Sequence, residues 1–263
     1  MTYNTLLVER EDPFVTVTLN RPEKLNAVNL ELLAEMGQAM DEINEMAEVR
    51  AVIIKGAGRA FSSGTDLQAL GGGKTDRTRP SYRYNLGRHQ EAFLRIERLE
   101  KPVIAQIHGY ALGAAMELAL ACDFRIATRD TRFALPEVLY GIVPDLGGCQ
   151  RLVRVVGLPK AKELAMMGTT IDGEEAERIG LVNRAVEADA LEGEVHNWAE
   201  RFLRIPPLAV GLTKRAVDKS LDMDIVSSLD ANAVVQSMLL KTEDFKEAIT
   251  AKLEKREPKF KGK

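Results

Sequence analysis

The strongest constraint on the fold is the run RAVIIKGAG at residues 50–58, in which consecutive aliphatic residues are followed by glycines. A run that is too short for a helix and does not alternate with polar residues is typical of a strand buried on both faces. Similar runs occur in KPVIAQIHG, residues 101–109, and ACDFRIAT, residues 121–128, with helical segments between them. This alternation of strands and helices predicts an α/β core.

The N-terminal part of the sequence predicts a hairpin followed by a long helix. The segments NTLLVERE and PFVTVTLN alternate apolar and polar residues on either side of Asp12-Pro13, as paired strands do. From Asn29 to Val49, leucine, methionine and isoleucine recur at helical spacing, and Asn29 is the expected N-cap.

The distribution of helical segments predicts two units. Strands alternate with helices up to about residue 187, whereas from residue 188 onward the segments are almost all helical. We therefore expect an α/β catalytic unit over residues 1–187 and a helical C-terminal unit over residues 188–263. The Gly-, Pro- and charge-rich segment at residues 71–81 predicts a loop in the first unit.

Composition excludes several classes of protein. A net charge of −3, from 36 basic and 39 acidic side chains, gives no broad attraction for nucleic acid or for an anionic membrane. Cys122 and Cys149 form no ligand-rich cluster, so we expect neither a disulfide framework nor a metal site. No apolar run is long enough to cross a bilayer, and the acidic N-terminus is unlike a signal peptide. A cytoplasmic location is expected.

Three stretches combine small residues with an acid: AFSSGTDL, GYALGAAMEL and LPEVLYGIVPDLGG. In the second, a helix is expected to begin near Gly113, where backbone N–H groups lack partners and the helix dipole favours negative charge. Ala114 and Glu117 would share one face of that helix. The small residues could simply permit tight turns and close packing, or they could form an anion-binding site beside a carboxylate.

Together, five stretches resemble the enoyl-CoA hydratase/isomerase (crotonase) family over nearly the whole chain. They are NRPEKLNAV, AFSSGTDL, GYALGAAMELALACD, FALPEVLYGIVPDLGG and EKREPKF. The resemblance implies a crotonase-like fold, with a repeated ββα spiral core and a C-terminal helical trimerisation region. It also implies an acyl-CoA thioester as substrate and a homo-oligomer, either a trimer or a dimer of trimers. Coenzyme A would enter as part of the substrate, so no separate cofactor is expected.

By the same resemblance, the backbone N–H groups of Thr65 and Ala114 would bind the thioester oxygen. Most family members have Gly at the position of Ala114, and the added methyl group would limit substrate shape. Glu117 and Glu137, 20 positions apart, match the two glutamates of hydratases. The remaining positions that match substrate or coenzyme A contacts are Lys24, Leu25, Ala27, Ser63, Gly64, Asp66, Leu67, Gly113, Tyr140, Phe260 and Lys261.

Asp145 leaves the reaction open. It lies eight residues after Glu137, where simple hydratases usually have Gly and dienoyl-CoA isomerases of the superfamily carry Asp. Asp145 could be a third catalytic acid, or it could cap a helix beginning near Leu146 or Gly147. We expect an enoyl-CoA hydratase. The alternatives are a dienoyl-CoA or cyclic acyl-CoA isomerase using Glu137 and Asp145, and a non-enzymatic RNA-binding protein, which the acidic balance disfavours.

Overall fold

The structure is a computed structural model that describes residues 2–68 and 80–263. Within these ranges it has eight strands: β1 Leu6–Glu11, β2 Phe14–Leu19, β3 Ala51–Gly56, β4 Val103–Ile107, β5 Tyr110–Leu112, β6 Phe124–Thr128, β7 Arg132–Ala134 and β8 Arg184–Val186. Its α-helices are α1 Leu30–Asn44, α2 Pro80–Arg98, α3 Ala114–Ala121, α4 Gly148–Met167, α5 Gly173–Arg178, α6 Leu191–Arg201, α7 Pro207–Ser220, α8 Ile225–Leu239 and α9 Glu243–Glu254.

Six of these strands form the main sheet, in the order β1-β2-β3-β4-β6-β8. The first two are antiparallel, which confirms the predicted hairpin, and the later neighbours are parallel. Parallel neighbours need crossover connections, and helices between the strands provide them. The predicted α/β core is therefore confirmed.

Helix α1 begins as predicted, because the Asn29 side chain accepts a hydrogen bond from the Leu32 backbone N–H at 2.8 Å. It ends at Asn44 rather than Val49. The intervening residues form turns, in which Met46 N–H donates to Ile43 and Val49 N–H donates to Met46, and these turns lead the chain into β3. Most of the predicted loop at residues 71–81 lies outside the described residues, and α2 begins at Pro80.

Strand β3 is covered on both faces, as its apolar run predicts. Val52 and Ile54 belong to the large core cluster that includes residues of α1, α2, α3 and α4. Ile53 belongs to a second cluster on the opposite face, together with Leu191 and Val195 of α6. The first helix of the predicted C-terminal unit therefore packs directly on the sheet, and the division at residue 187 stays a prediction. In the described residues, no helix is both long and apolar enough to cross a membrane.

A second, two-stranded sheet, β5 with β7, was not predicted from the sequence. Ser62 forms an isolated parallel bridge with Ala111 in β5, which brings the loop after β3 against this sheet. The backbone N–H of Gly113 donates to Ala134 of β7 at 2.8 Å. The small sheet therefore fixes the first residue of α3 beside the loop that follows β3.

Candidate active site

Two backbone N–H groups, those of Thr65 and Ala114, donate to no acceptor in residues 2–68 and 80–263. Ala114 is the first residue of α3, where helical N–H groups lack intrahelical acceptors. A Cβ atom on Gly64 would lie 3.7 Å from Ala114 N, so the two segments are in close contact. The structure thus brings the turn that carries Thr65 against the first residue of α3.

A buried polar network shapes the turn that carries Thr65. Asn26 is fully buried in the left-handed region at φ 55°, and its side chain donates to the carbonyls of Ala57 and Ala60, both at 2.8 Å. The Ser62 hydroxyl donates to the Asn26 carbonyl at 2.8 Å and accepts from Gly64 N–H at 3.1 Å. Sequence reasoning did not single out Asn26, although Asn tolerates the left-handed region and occurs in NRPEKLNAV.

Glu117 lies on α3 and is 1% exposed. Its Oε1 accepts hydrogen bonds from the backbone N–H groups of Leu146 at 2.9 Å and Gly148 at 2.7 Å. Burial raises the pKa of Glu117 to about 8; the two hydrogen bonds oppose this shift, whereas the charges of Glu137 and Asp145 add to it. A Cβ on Gly148 would lie 2.9 Å from Glu117 Oε1, so only glycine fits there without displacement.

Glu137 lies on a short 3₁₀ helix, Pro136–Tyr140, which was not predicted. Glu137 is 8% exposed, and its Oε2 is buried without a partner among the described residues. A Cβ on Gly113 would lie 2.6 Å from Glu137 Oε1, which places this carboxyl group at the start of α3. Burial, with the Asp145 charge, raises the pKa of Glu137. Two interacting buried carboxyl groups resist ionising together, so these surroundings favour a proton on the Glu117–Glu137 pair.

Asp145 does not cap a helix, so that alternative role was wrong. Helix α4 begins at Gly148, and its N-cap, Gly147, makes no side-chain hydrogen bond. The helix starts at the second of two consecutive glycines, which places Asp145 in the preceding loop. Burial is the main cause that raises the pKa of Glu117 and of Glu137, and the negative charge of Asp145 adds to it in both cases. The three predicted acids therefore lie close enough for their charges to interact.

Most of the predicted coenzyme A positions lie near Thr65. Lys24 ends a 3₁₀ turn and its Nζ lies 3.7 Å from Asp66 Oδ2, while the Leu25 carbonyl accepts from Ser63 N–H at 2.9 Å. Ala27 is buried, and Leu67 is exposed beyond the turn. Asp66 fixes the turn locally by accepting from Gln68 N–H at 3.2 Å.

Tyr140 and the C-terminal tail do not belong to the group of predicted positions near Thr65. Tyr140 is exposed at the end of the 3₁₀ helix that carries Glu137. The Phe260 carbonyl accepts from Arg50 Nη2 at 2.9 Å, and Lys261 N–H donates to Asp244 at 2.7 Å. Arg50 directly precedes β3, whereas the Thr65 turn follows its other end. Within one chain, the tail is therefore not brought to the Lys24 turn.

No group of three metal-binding side chains suited to an ion occurs in the part of the chain that the structure describes. Backbone N–H donors beside two protonatable carboxyl groups are suited to binding a polarised carbonyl and exchanging protons next to it. Residues 9–263 match the family model described as Enoyl-CoA hydratase/isomerase.

The chain belongs to the enoyl-CoA hydratase/isomerase family.

Relatives within this family carry different activities in their names. A short-chain-enoyl-CoA hydratase of Clostridium acetobutylicum is 41% identical over 258 residues, which cover 97% of each chain. A peroxisomal Delta(3,5)-Delta(2,4)-dienoyl-CoA isomerase of Arabidopsis thaliana is 36% identical over 98% of this chain and 97% of its own. The crystal structure of an enoyl-CoA hydratase from Bacillus anthracis superposes with a TM-score of 0.93 at 35% identity, covering 99% of this chain and all of that one. The chain therefore has the crotonase fold.

Proposed function

We propose that the protein is an enoyl-CoA hydratase, which adds water across the 2,3 double bond of a 2-enoyl-CoA thioester. The observation that carries this proposal is the pair of buried carboxyl groups, Glu117 and Glu137, beside the unpaired N–H group of Ala114. Hydration needs this combination because it moves two protons and builds negative charge on the thioester oxygen.

The main-chain donors would stabilise that charge. As water attacks C3, electron density moves through C2 to the thioester oxygen and gives an enolate-like state. The N–H groups of Thr65 and Ala114 are proposed to bind this oxygen. One such donor is typically worth a factor of about 10² to 10³ in rate.

The carboxyl pair would carry the protons. With one proton on the pair, the carboxylate accepts a proton from the attacking water, while the carboxylic acid delivers its own proton to C2. The pair ends with its proton on the other group, and the water has supplied a hydroxyl at C3. Because Glu117 Oε1 is occupied by two backbone N–H groups, its Oε2 is the atom available to the water.

Assembly would complete the coenzyme A site. Helix α8 has no buried residue in the described chain, and Ile225, Val226, Leu229 and Val234 are all exposed on it. Burying this apolar surface between subunits supports the proposed trimer or dimer of trimers. The tail with Phe260 and Lys261, which is distant along β3 from the Lys24 turn of its own chain, would then cover coenzyme A in a neighbouring subunit.

The test is hydration of crotonyl-CoA and longer 2-enoyl-CoAs, followed as loss of the conjugated thioester absorbance. We expect Glu137→Gln to lower kcat by about 10² to 10⁴, the range of a lost general acid or base. Absence of hydration by the wild-type protein with every chain length tested would refute the proposal.

A second candidate is a dienoyl-CoA or cyclic acyl-CoA isomerase that uses Glu137 and Asp145. It is favoured by the place of Asp145 beside both glutamates and outside any helix cap. One acid would remove a proton and the other would deliver one further along the chain, without adding water. Asp145→Ala should leave hydration of crotonyl-CoA intact. The isomerase would be favoured by two results together. The wild type would convert a 3,5-dienoyl-CoA but leave crotonyl-CoA unchanged, and Asp145→Ala would lose the conversion of the dienoyl-CoA.

A further inference from the structure

Arg151 is a buried cation that donates hydrogen bonds to the Glu97 carboxylate and to the Leu146 carbonyl. It lies in the first turns of α4 and is 8% exposed. Its Nε and Nη2 donate to the two carboxylate oxygens of Glu97 at 2.6 and 2.9 Å, in the bidentate geometry that orients a guanidinium. Its Nη1 donates to the backbone carbonyl of Leu146 at 2.7 Å.

The carbonyl that Arg151 binds lies between the two donors to Glu117. Leu146 N–H precedes this carbonyl in the chain, and Gly148 N–H follows it after one intervening residue. A group that fixes the Leu146 carbonyl therefore restricts both peptide planes that hold Glu117 Oε1. Gly147 adopts φ 105°, and a Cβ there would overlap Arg151 Nη1, so the guanidinium lies directly against this turn.

Helix α2 fixes the same loop at a second point. Gln90 Nε2 donates to the Asp145 carbonyl at 2.6 Å. Gln90 and Glu97 are seven residues apart, about two helical turns, and so they lie on one face of α2. Helix α2 thus holds residues 145–148 through Gln90 and through the Glu97–Arg151 pair.

From these contacts we infer that Arg151, oriented by Glu97, is a positioning residue that holds Glu117 in its reactive orientation through the main chain of Leu146–Gly148. The inference rests on the proposed function for its kinetic consequence. Without the hydrogen bonds of Arg151 to Glu97 and Leu146, the loop at residues 145–148 would relax, and Glu117 Oε1 would lose its two backbone N–H donors. A displacement of about 1 Å of a reacting group can cost about 10²-fold in rate.

The experiment compares Arg151→Met and Glu97→Gln with Arg154→Met. Arg154 lies on the same helix and forms an exposed ion pair with Asp222, so its replacement removes an α4 cation without touching the loop. We expect Arg151→Met to lower kcat for crotonyl-CoA by about 10- to 100-fold with little change in KM. Glu97→Gln should have a smaller effect of the same kind, and Arg154→Met should leave both constants unchanged.

Two readouts separate positioning from a merely structural role. The two backbone hydrogen bonds lower the pKa of Glu117, so losing them should move the high-pH limb of the rate profile to higher pH. Exchange of the Leu146 and Gly148 amide hydrogens should also speed up in Arg151→Met and not in Arg154→Met. A folded Arg151→Met protein with wild-type kcat, pH profile and amide exchange would overturn the inference.

The amide-exchange measurement needs no activity, so it tests whether Arg151 holds the loop even if the wild-type protein does not hydrate crotonyl-CoA. In that case the proposed function fails, while faster exchange in Arg151→Met still supports the positioning role of Arg151. If Arg151→Met does not fold, Arg151→Lys takes its place. A lysine cannot bind Glu97 in bidentate fashion and reach Leu146 together, so we expect intermediate losses. Wild-type kcat and exchange in Arg151→Lys and Glu97→Gln together would then refute the inference.

Discussion

Replacing Glu117 by Gln should make the protein more stable at alkaline pH while it removes the proposed activity. The Gln side chain has the same shape and keeps a carbonyl oxygen for the N–H groups of Leu146 and Gly148. It differs in having no charge to bury. The substitution therefore isolates the cost of ionising the side chain of a residue that is 1% exposed.

The size and sign of the effect follow from the pKa. Burial raises the pKa of Glu117 from 4.5 to about 8 in the folded protein. Below the unfolded value of 4.5, both states are protonated and stability is fully present. As pH rises towards about 8, only the unfolded chain loses the proton, so stability falls. A tenfold change in proton affinity is worth about 1.4 kcal/mol, which gives an upper bound of about 5 kcal/mol.

The assay is denaturant unfolding of the wild type and Glu117→Gln at one protein concentration, because oligomers unfold in a concentration-dependent way. We expect similar free energies of unfolding near pH 4, below the unfolded pKa, and a Gln variant more stable by up to about 5 kcal/mol near pH 8.5. Glu192→Gln, at an exposed position on α6, is the matched control and should not change the pH dependence. If the wild type and Glu117→Gln lose stability in parallel, Glu117 does not retain a proton through burial.

Three further substitutions probe the surroundings of the site. Gly113→Ala forces a side chain at φ 51° and puts its Cβ 2.6 Å from Glu137 Oε1, so kcat should fall about 10²-fold in a protein that still folds by circular dichroism. Ser62→Ala leaves a buried N–H without its acceptor and should cost about 1–3 kcal/mol, measured by denaturant unfolding; an unchanged midpoint would contradict this. Lys214→Met removes the cation 2.8 Å from the largely buried Asp123 carboxylate, which keeps its hydrogen bond from Val103 N–H at 2.7 Å, and should cost up to about 3–5 kcal/mol; Asp123→Asn in the same chain should restore part of this.

Local sequence patterns were sufficient to predict the larger elements of the fold. The hairpin, the Asn29 cap and the buried strand β3 depend on periodicity and side-chain chemistry within about ten residues. The small sheet was missed because Tyr110–Leu112 and Arg132–Ala134 are too short to show a period. The length of α1 was overestimated because the turns after Asn44 keep apolar residues at near-helical spacing.

The residues of the candidate site likewise include some that the sequence indicated and some that only the structure revealed. Motifs and the family resemblance indicated the acids and the small residues at the helix start, but Arg151 and Asn26 were not singled out. Arg151 matters because Glu97 and Leu146 lie beside it in space, 54 and 5 positions away in the chain. The alternative capping role of Asp145 was wrong because the helix begins two residues later than a cap at that position requires.

The sequence by itself determined that this chain forms an α/β core of the crotonase type and which carboxyl groups are available to it. Only the tertiary structure decided that Glu117 and Glu137 are buried together, with one oxygen of Glu117 held by a loop from a later part of the chain. The physical reason is that the pKa of a carboxyl group depends on the solvent and charges around it. Distant segments create those surroundings only when the chain has folded.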